Sequence, residues 1–231
     1  MTVPIAILLV AALFASAYFY GKWQTLRRAE FIRTFHWPRG LLERLEKHHP
    51  GFQRKDSALV SRGLRQFFLA YLMSGRRHVS IPSQVADDLW HEFILYTRDY
   101  DAFCRRAFGG FLHHTPAVVL SEHRKSNEGL RRVWWYSCKY ENIDPVRPTR
   151  LPLLFALDSK LNIRNGFVYH PDCEQLRKNG SGVAYCGGDF SDTSFDGSSD
   201  GFGDTGSDAS GDSGGGDSGG DGGGGCGGGG D

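Results

Sequence analysis

Residues 85–116 read VADDLWHEFILYTRDYDAFCRRAFGGFLHHTP, and more of the architecture depends on this stretch than on any other. Ile81-Pro82-Ser83 supplies a helix start before it, and Gly109-Gly110 supplies a stop near its end. Between these signals apolar residues recur at spacings of three and four, as in an amphipathic helix that faces a core. The sequence therefore predicts one long helix here, at the centre of the domain. Its stripe consists of Val85, Leu89, Phe93, Tyr96, Tyr100, Phe103 and Ala107.

Shorter helices are predicted on both sides of this element. Pro38 ends a first helix, because the residue before a proline is pushed out of the helical region. Apolar spacing and turn residues then predict helices over 40–48, 55–74, 128–140 and 151–161. Residues 162–185 could hold a little extended structure. The fold class that follows is mainly α.

Charge and glycine divide the chain into a body and a tail. Ten of the 26 acidic residues and none of the 27 basic residues fall in 179–231, which leaves residues 1–178 at about +11 and the tail at about −10. The tail also holds 22 of the 31 glycines, and such a segment cannot bury enough apolar surface to fold. The predicted divisions are an anchor at 1–23, a compact helical body at 24–178 and a disordered Gly/Asp/Ser-rich tail at 179–231.

The N-terminal segment carries no charge from residue 3 to residue 20. An 18-residue helix is about 27 Å long, close to the thickness of the hydrocarbon core of a bilayer, so we expect a single transmembrane helix. Basic residues follow the segment and none precedes it, which predicts an N-terminus outside and a body and tail in the cytoplasm. The alternative is a secreted protein released by signal-peptide cleavage near Ala15-Ser16-Ala17, although the basic region that such a peptide needs is missing.

The five cysteines do not form a disulfide framework, because their number is odd and their spacing irregular. Reduced thiols fit better, and one distant pair remains able to bridge. Cys104 falls beside the apolar stripe, where core packing explains it. His170, Cys173 and Cys186 make a partial zinc-like pattern that lacks an evident fourth ligand.

Asp87, Asp88 and His91 are the weak candidates for a site, together with His113 and His114. One carboxylate must fall on the helix face of His91, and the Gly-Gly break can fold the two later histidines back toward it. These are ligand types of zinc and non-haem iron, so all five are candidate metal ligands. Asp87 could instead orient His91 as a general base. A third interpretation is a polar seam of the core that performs no chemistry, and we favour it, so no cofactor is predicted.

Two further groups could bind partners. Arg131, Arg132 and Lys139 could meet anionic lipid headgroups near the anchor. Trp134-Trp135 could form a ligand platform, although core packing is the simpler explanation. Nucleic acid is not favoured, because no binding signature accompanies the basic charge. In the tail, Asp recurs every four residues, which favours a solvated arm over a calcium site because the apolar position of a calcium-binding repeat is missing.

The stretch from Val85 to Pro116 resembles the core signature of the glycine-rich domain protein-like family, in which an acidic residue precedes a Trp-His pair and a Tyr, a Cys and an aromatic-Gly pair follow. The resemblance is specific over residues 85–116 and general over about 35–140. This sequence carries Trp90-His91-Glu92 where the plant members have a second histidine, so one candidate ligand is absent. The resemblance is closer to membrane-anchored bacterial proteins with glycine-rich ends, which implies the same architecture for this chain. It implies no reaction.

These patterns lead to a hypothesis of a membrane-tethered interaction module that is not an enzyme. Its body would bind a protein partner, residues 3–20 would hold the membrane, and the tail would act as a charged arm. The alternative is a metal-dependent enzyme that uses Asp87, His91, His113 and His114.

Overall fold

The computed structural model describes residues 2–114, 128–171 and 185–190. Within them the chain forms seven α-helices, and the predicted mainly α fold class is confirmed. The strands β1 (Tyr169–His170) and β2 (Tyr185–Cys186) pair in parallel, and a 3₁₀ turn follows at Gly187–Phe190. The helices are α1 (Thr2–Thr34), α2 (Leu41–His48), α3 (Arg54–Met73), α4 (Gln84–Leu95), α5 (Thr97–Phe108), α6 (Glu128–Tyr140) and α7 (Leu153–Lys160).

The predicted long helix is wrong in one respect, because it is two helices with a break at Tyr96. The Tyr96 backbone has φ −81° and ψ 60°, outside the helical region. The apolar spacing does not reveal the break because both helices turn their stripes to the same core. Phe93 of α4 and Phe103 of α5 are both buried, with ring centroids 5.4 Å apart.

The centre of the domain is α3, not the α4–α5 pair. Its neighbours in space are α1, α2, α4, α6 and α7. A helix enclosed in this way needs buried side chains around its circumference, and residues 66–70 are all buried. Phe67 and Phe68 contact Trp90 of α4 with ring centroids 5.0 and 5.9 Å apart. The packing on α3 therefore holds α4 rigidly, and α4 carries the candidate site.

The two halves of α1 have different surroundings. Ala29 and Ile32, near its C-terminal end, are buried in the core, and the helix packs against α3 and α5. Large apolar side chains toward its N-terminal end are exposed, among them Leu13 at 70 % and Phe14 at 73 %. Among the described residues, we find no helix with the length and apolar character needed to cross a membrane. The structure thus gives no support to the predicted transmembrane helix.

The end of the described chain returns to the core. Phe190 is fully buried, and its ring lies 5.8 Å from that of Trp134 on α6. Trp134 and Trp135 are both buried, which confirms core packing and removes them as an exposed ligand platform. Residues 185–190 belong to the tail predicted at 179–231, yet they form β2 and the 3₁₀ turn with a buried Phe190, so the predicted start of the disordered tail is wrong. The remaining parts of that tail, 179–184 and 191–231 with the aspartate repeat, lie outside the described residues.

Candidate metal centre

The candidate site begins with two side chains on α4. The helix starts where the sequence predicts, since the Ser83 hydroxyl accepts a hydrogen bond of 3.2 Å from the Ala86 amide. That start sets the helical register. Asp87 and His91 are then one turn apart on one face, as residues at i and i+4 must be.

A third side chain arrives through the turn that ends α5. Gly109 adopts φ 79°, a left-handed conformation that glycine tolerates and that commonly ends helices. A Cβ atom at this position would also lie 2.8 Å from Nη2 of Arg28. The left-handed backbone is the reason for glycine here, since the Arg28 side chain could move aside. The chain reverses after it, and residues 111–114 return beside α4.

Two buried hydrogen bonds fix the returning segment. The Tyr100 hydroxyl donates to the Leu112 carbonyl oxygen over 2.6 Å and accepts from Nε1 of Trp90 over 3.1 Å. Burial raises the pKa of the Tyr100 phenol, and the nearby Cys104 adds to the effect. The hydroxyl therefore stays protonated and keeps donating. This chain of bonds joins α4, α5 and the segment that carries His114.

Asp87, His91 and His114 meet at the surface of α4. Nε2 of His114 lies 2.7 Å from Oδ1 of Asp87, and the two imidazole centroids are 4.1 Å apart. One donor atom from each of the three residues lies within 4.8 Å of the other two. The side chains of Asp87 and His114 are 4 % and 11 % exposed, whereas that of His91 is 53 % exposed. The cluster is thus walled by protein and open to solvent at His91.

The hydrogen bond of His91 fixes which of its nitrogens carries the lone pair. Nδ1 lies 3.0 Å from the backbone carbonyl oxygen of Asp87. A carbonyl oxygen only accepts, so Nδ1 must carry the proton, and Nε2 of the neutral ring keeps its lone pair. A histidine that donates from one nitrogen to a carbonyl is the usual arrangement for a metal ligand that binds through the other.

Burial dominates the electrostatics of Asp87. It raises the pKa of the carboxyl, and the hydrogen bond from His114 and the charges of both histidines oppose the rise without cancelling it. An ionised Asp87 is therefore incompletely compensated by its protein surroundings. A bound cation would supply the missing charge.

The structure separates the other two predicted ligands from this cluster. Asp88 turns toward α2, where one carboxylate oxygen lies 2.9 Å from Nε2 of His49. Its other oxygen accepts a hydrogen bond of 3.0 Å from the side-chain amide of Gln84. The His113 ring packs on Phe111 with centroids 4.9 Å apart. Neither residue belongs to the group of three. Side chains of neighbouring residues alternate in an extended segment, so only one of the two adjacent histidines faces α4.

Sequence reasoning missed the contribution of α2. Besides His49 on Asp88, His48 and Arg44 lie 3.4 and 3.3 Å from the two carboxylate oxygens of Glu92. All three acidic side chains of α4 thus face a histidine. The sequence does show a basic and histidine-rich end of α2, but residue spacing does not reveal that this end packs against α4.

Sequence reasoning also missed Asp158 on α7. Its buried carboxylate accepts from the Ser83 hydroxyl at 2.7 Å and from the amides of Gln84, Val85 and Phe167 at 2.8, 3.2 and 2.8 Å. It therefore caps the start of α4 from another helix and positions Asp87. The sequence feature that could have indicated this role is a charged residue within the apolar run of α7.

The partial zinc-like pattern does not form a thiolate site. Cys186 is disulfide-bonded and so has no free sulfur to offer a metal ion. Among the described residues, Cys104 and Cys138 are both free and buried. Cys173 is also outside them, and His170 is half-buried on β1. The prediction of reduced thiols is therefore wrong at Cys186, whereas Cys104 and Cys138 are free as predicted.

Two of the three predicted lipid-contacting residues are in the interior. Arg131 and Arg132 are 9 % and 4 % exposed. Arg132 pairs with Glu128 and donates to the His78 carbonyl, and Arg131 donates to the Phe190 carbonyl. Their location on the buried face of α6 explains the error, because a basic residue is assigned to the surface by default. Lys139 is exposed, and its ammonium lies 5.2 Å from the Trp135 ring centroid.

The fold and the cluster define a small helical domain with a carboxylate and two imidazoles at an open surface site. The chain belongs to the UCP032817-like family, whose model matches residues 27–190. The match covers the helical domain through Phe190 and includes all three residues of the cluster. No curated protein and no solved structure matches the chain.

Proposed function

We propose that the helical body binds one divalent transition-metal ion, zinc or ferrous iron, through Asp87, His91 and His114. The observation that carries the proposal is the convergence of three donor atoms within 4.8 Å of one another. Both ions use imidazole and carboxylate ligands. Three protein ligands leave a coordination position for water or a substrate, which is typical of catalytic sites. The proposed class of function is therefore metal-dependent catalysis.

The cluster needs only a small contraction to enclose an ion. Ligand atoms at about 2.1 Å from one metal ion lie roughly 3–4 Å from each other. A separation of up to 4.8 Å then closes by about 1 Å. His91 can supply this movement by side-chain rotation, because its half-exposed ring has room on the solvent side.

Metal binding would displace a proton from the cluster. In the metal-free arrangement Nε2 of His114 and Oδ1 of Asp87 share a hydrogen bond of 2.7 Å. An ion that binds Nε2 of His114 needs its lone pair, so the shared proton must leave Nε2, to Nδ1 of the same ring when the imidazole is neutral or to solvent when it is charged. The ion would also compensate the carboxylate, whose pKa is raised by burial. Binding should therefore weaken as the pH falls.

A purely structural role explains the three residues less completely. A buried Asp87 that accepts from a buried His114 is an ordinary polar brace. His91 adds little to such a brace, because its side chain is 53 % exposed and its Nδ1 lies 3.7 Å from the carboxylate. A metal ion gives its Nε2 a partner.

The proposal is tested by metal analysis of the full chain, purified without a histidine tag or a chelator. We expect about one equivalent of zinc or iron per chain. Substitutions Asp87→Asn, His91→Ala and His114→Ala should each remove it. His113→Ala and Asp88→Asn are matched controls from adjacent positions and should retain it. A metal-free protein that does not take up either ion, or a His91→Ala variant that retains its ion, would contradict the proposal.

A second proposal concerns the exposed half of α1. We propose that residues 3–20 tether the body to a membrane, with a protein partner on the body. It is supported by the exposed apolar side chains near the N-terminal end of α1, since patches of this kind mark interaction surfaces. Flotation of the full chain with vesicles, and loss of flotation when residues 2–23 are deleted, is the expected outcome. A full chain that stays at the bottom of the gradient would contradict this proposal.

A further inference from the structure

A second concave site lies on α3, and it shares no residue with the metal cluster. It is a groove of about 870 Å³ between the end of α1, α3, α6, α7 and the loop before α7. Its walls are partly apolar, with Leu69, Leu151 and Leu153. Its charged lining consists of Arg33, Arg62, Arg65, Arg150, Lys160 and Glu141.

The one carboxylate of the groove is already satisfied by other groups. One oxygen of Glu141 accepts from the Gln66 amide at 3.0 Å and from the Leu153 backbone amide at 2.5 Å. Its other oxygen pairs with Arg150, which also donates to the Glu141 carbonyl oxygen. Glu141 and Arg150 therefore neutralise each other, and neither compensates the remaining cations.

One further cation of the groove, Arg65, is held by hydrogen bonds within the protein. Arg65 donates to the carbonyl oxygens of Ile32 and Phe35 over 2.8 and 2.7 Å, and its guanidinium lies 4.8 Å from the Trp37 ring centroid. It holds the C-terminal end of α1 against α3, so it contributes positive charge to the groove without being free to move.

The other three cations have no strong partner in the described part of the chain. Arg62 and Lys160 are exposed and make no ion pair with any described residue. Arg33 has one exposed pair, 3.6 Å from Glu30, and exposed pairs of this kind contribute little. Arg33 also lies 5.8 Å from the ring centroid of Tyr140, which lines the groove beside it. Like charges on several helices have thus been brought together around one concavity.

We propose that this groove binds a phosphate-bearing ligand. Phosphate oxygens accept hydrogen bonds from several guanidinium and ammonium groups at once, and such charge-assisted bonds are the strongest kind. Arg62, Lys160 and Arg33 would hold the phosphate groups. Tyr140 and the leucines would contact an apolar part of the ligand.

The position of the groove favours a soluble phosphate compound over a lipid headgroup. Arg33 follows Trp23, the last aromatic residue of the exposed half of α1, by ten residues. Ten helical residues span about 15 Å. A headgroup at the level of the α1 aromatics would therefore lie short of the groove.

The test is a calorimetric titration of the full chain with inorganic pyrophosphate at low ionic strength. We expect saturable binding at one site. Arg62→Gln with Lys160→Gln should weaken it by about tenfold, since two charge-assisted hydrogen bonds are lost. The matched control is Lys55→Gln with Arg98→Gln, which removes the same charge from exposed positions outside the groove and should leave the affinity unchanged.

A parallel arm uses phosphatidylglycerol vesicles in sedimentation. Binding of vesicles that depends on Arg62 and Lys160, without binding of pyrophosphate, would assign the same groove to a lipid phosphate. Equal weakening in the groove variant and the control variant would show a general charge effect and overturn the proposal. Absence of binding in both arms would overturn it as well.

Discussion

Two buried carboxylates are associated with α4, one on the helix and one at its start, and their surroundings differ. Asp158, at the N-terminal end of the helix, accepts four hydrogen bonds, three of them from backbone amides. Asp87, one turn into the helix, accepts a hydrogen bond from His114, with His91 at 3.7 Å. The two side chains are nearly equally buried, since both residues are 3 % exposed. Depth of burial therefore does not distinguish them, whereas the number of donors does.

The difference separates a carboxylate that builds the fold from one that the proposed metal site would use as a ligand. A buried anion with several backbone donors is fully compensated, and it fixes whatever it bonds. A buried anion with one donor and a raised pKa is poised to take a proton or a cation. In this protein the first positions the second, because Asp158 sets the start of the helix that carries Asp87.

The largest effect is expected from Asp158→Ala. The substitution leaves the Ser83 hydroxyl and the Gln84 and Val85 amides without their acceptor, and it removes the cap of α4. We expect a loss of about 3 kcal/mol in the free energy of unfolding, measured by urea denaturation. Asp101→Ala removes a carboxylate from an exposed ion pair with Arg105 and serves as the control, with an expected change below about 0.5 kcal/mol. Equal losses in the two variants would show that Asp158 stabilises the fold no more than an exposed carboxylate does.

A smaller effect is expected from Tyr100→Phe. It removes the donor to the Leu112 carbonyl and the acceptor of Trp90 while it keeps the ring packing. We expect a loss of about 1–2 kcal/mol in unfolding free energy and a weaker affinity for the metal ion, because the segment that carries His114 is less well fixed. Retention of wild-type affinity would mean that the hydrogen-bond chain does not position the cluster.

Asp87→Asn should act on metal binding and barely on stability. Asparagine can still accept from His114 and carries no charge to bury, so we expect a change of less than about 1 kcal/mol at pH 7 in the metal-free protein. A purely structural Asp87 would instead give a large loss. Unfolding of chelator-treated protein, followed by denaturant titration, separates the two outcomes.

The pH dependence of the stability of Asp87→Asn tests the direction of the pKa shift of Asp87. A carboxyl whose pKa is raised on folding binds more protons in the native state, so its contribution to stability is full below about pH 4 and is lost as the pH rises through the native pKa. The stability of Asp87→Asn relative to wild type should therefore increase with pH in the metal-free protein. A difference that shrinks as the pH rises would show that Asp87 is stabilised in its ionised form, contrary to this account.

The smallest effect on stability is expected from His91→Ala. A buried histidine bonded to a carboxylate would cost about 1–3 kcal/mol on removal. The structure places the close carboxylate bond on His114 and leaves the His91 side chain 53 % exposed. We expect a change within about 0.5 kcal/mol, together with loss of the metal ion. Thermal melts of the metal-free variant check the first part.

The helices were largely predictable because each has a local signature. Ser83 starts α4 and Gly109 ends α5, as expected from capping residues and glycine turns. The break at Tyr96 was not predictable from spacing, because the apolar stripe continues across it toward one core. The central position of α3 was missed for a related reason, since its enclosure depends on which helices pack around it.

The candidate site was only half predictable. Asp87 and His91 share a helix face, which spacing alone establishes. His114 reaches them through the turn at Gly109 and the Tyr100 hydrogen bond to Leu112, and nothing local separates it from His113. Asp158 lies more than seventy residues beyond Ser83, so only the tertiary structure reveals its role.

The central claim is that one ion replaces the proton between Asp87 and His114, and calorimetric titration tests it most directly. Zinc is titrated into the metal-free full chain at two pH values. We expect one site with an affinity that falls as the pH falls, retention of that site in His113→Ala, and its loss in His114→Ala. Zinc binding of equal affinity and stoichiometry in the wild type and in His114→Ala would contradict the account.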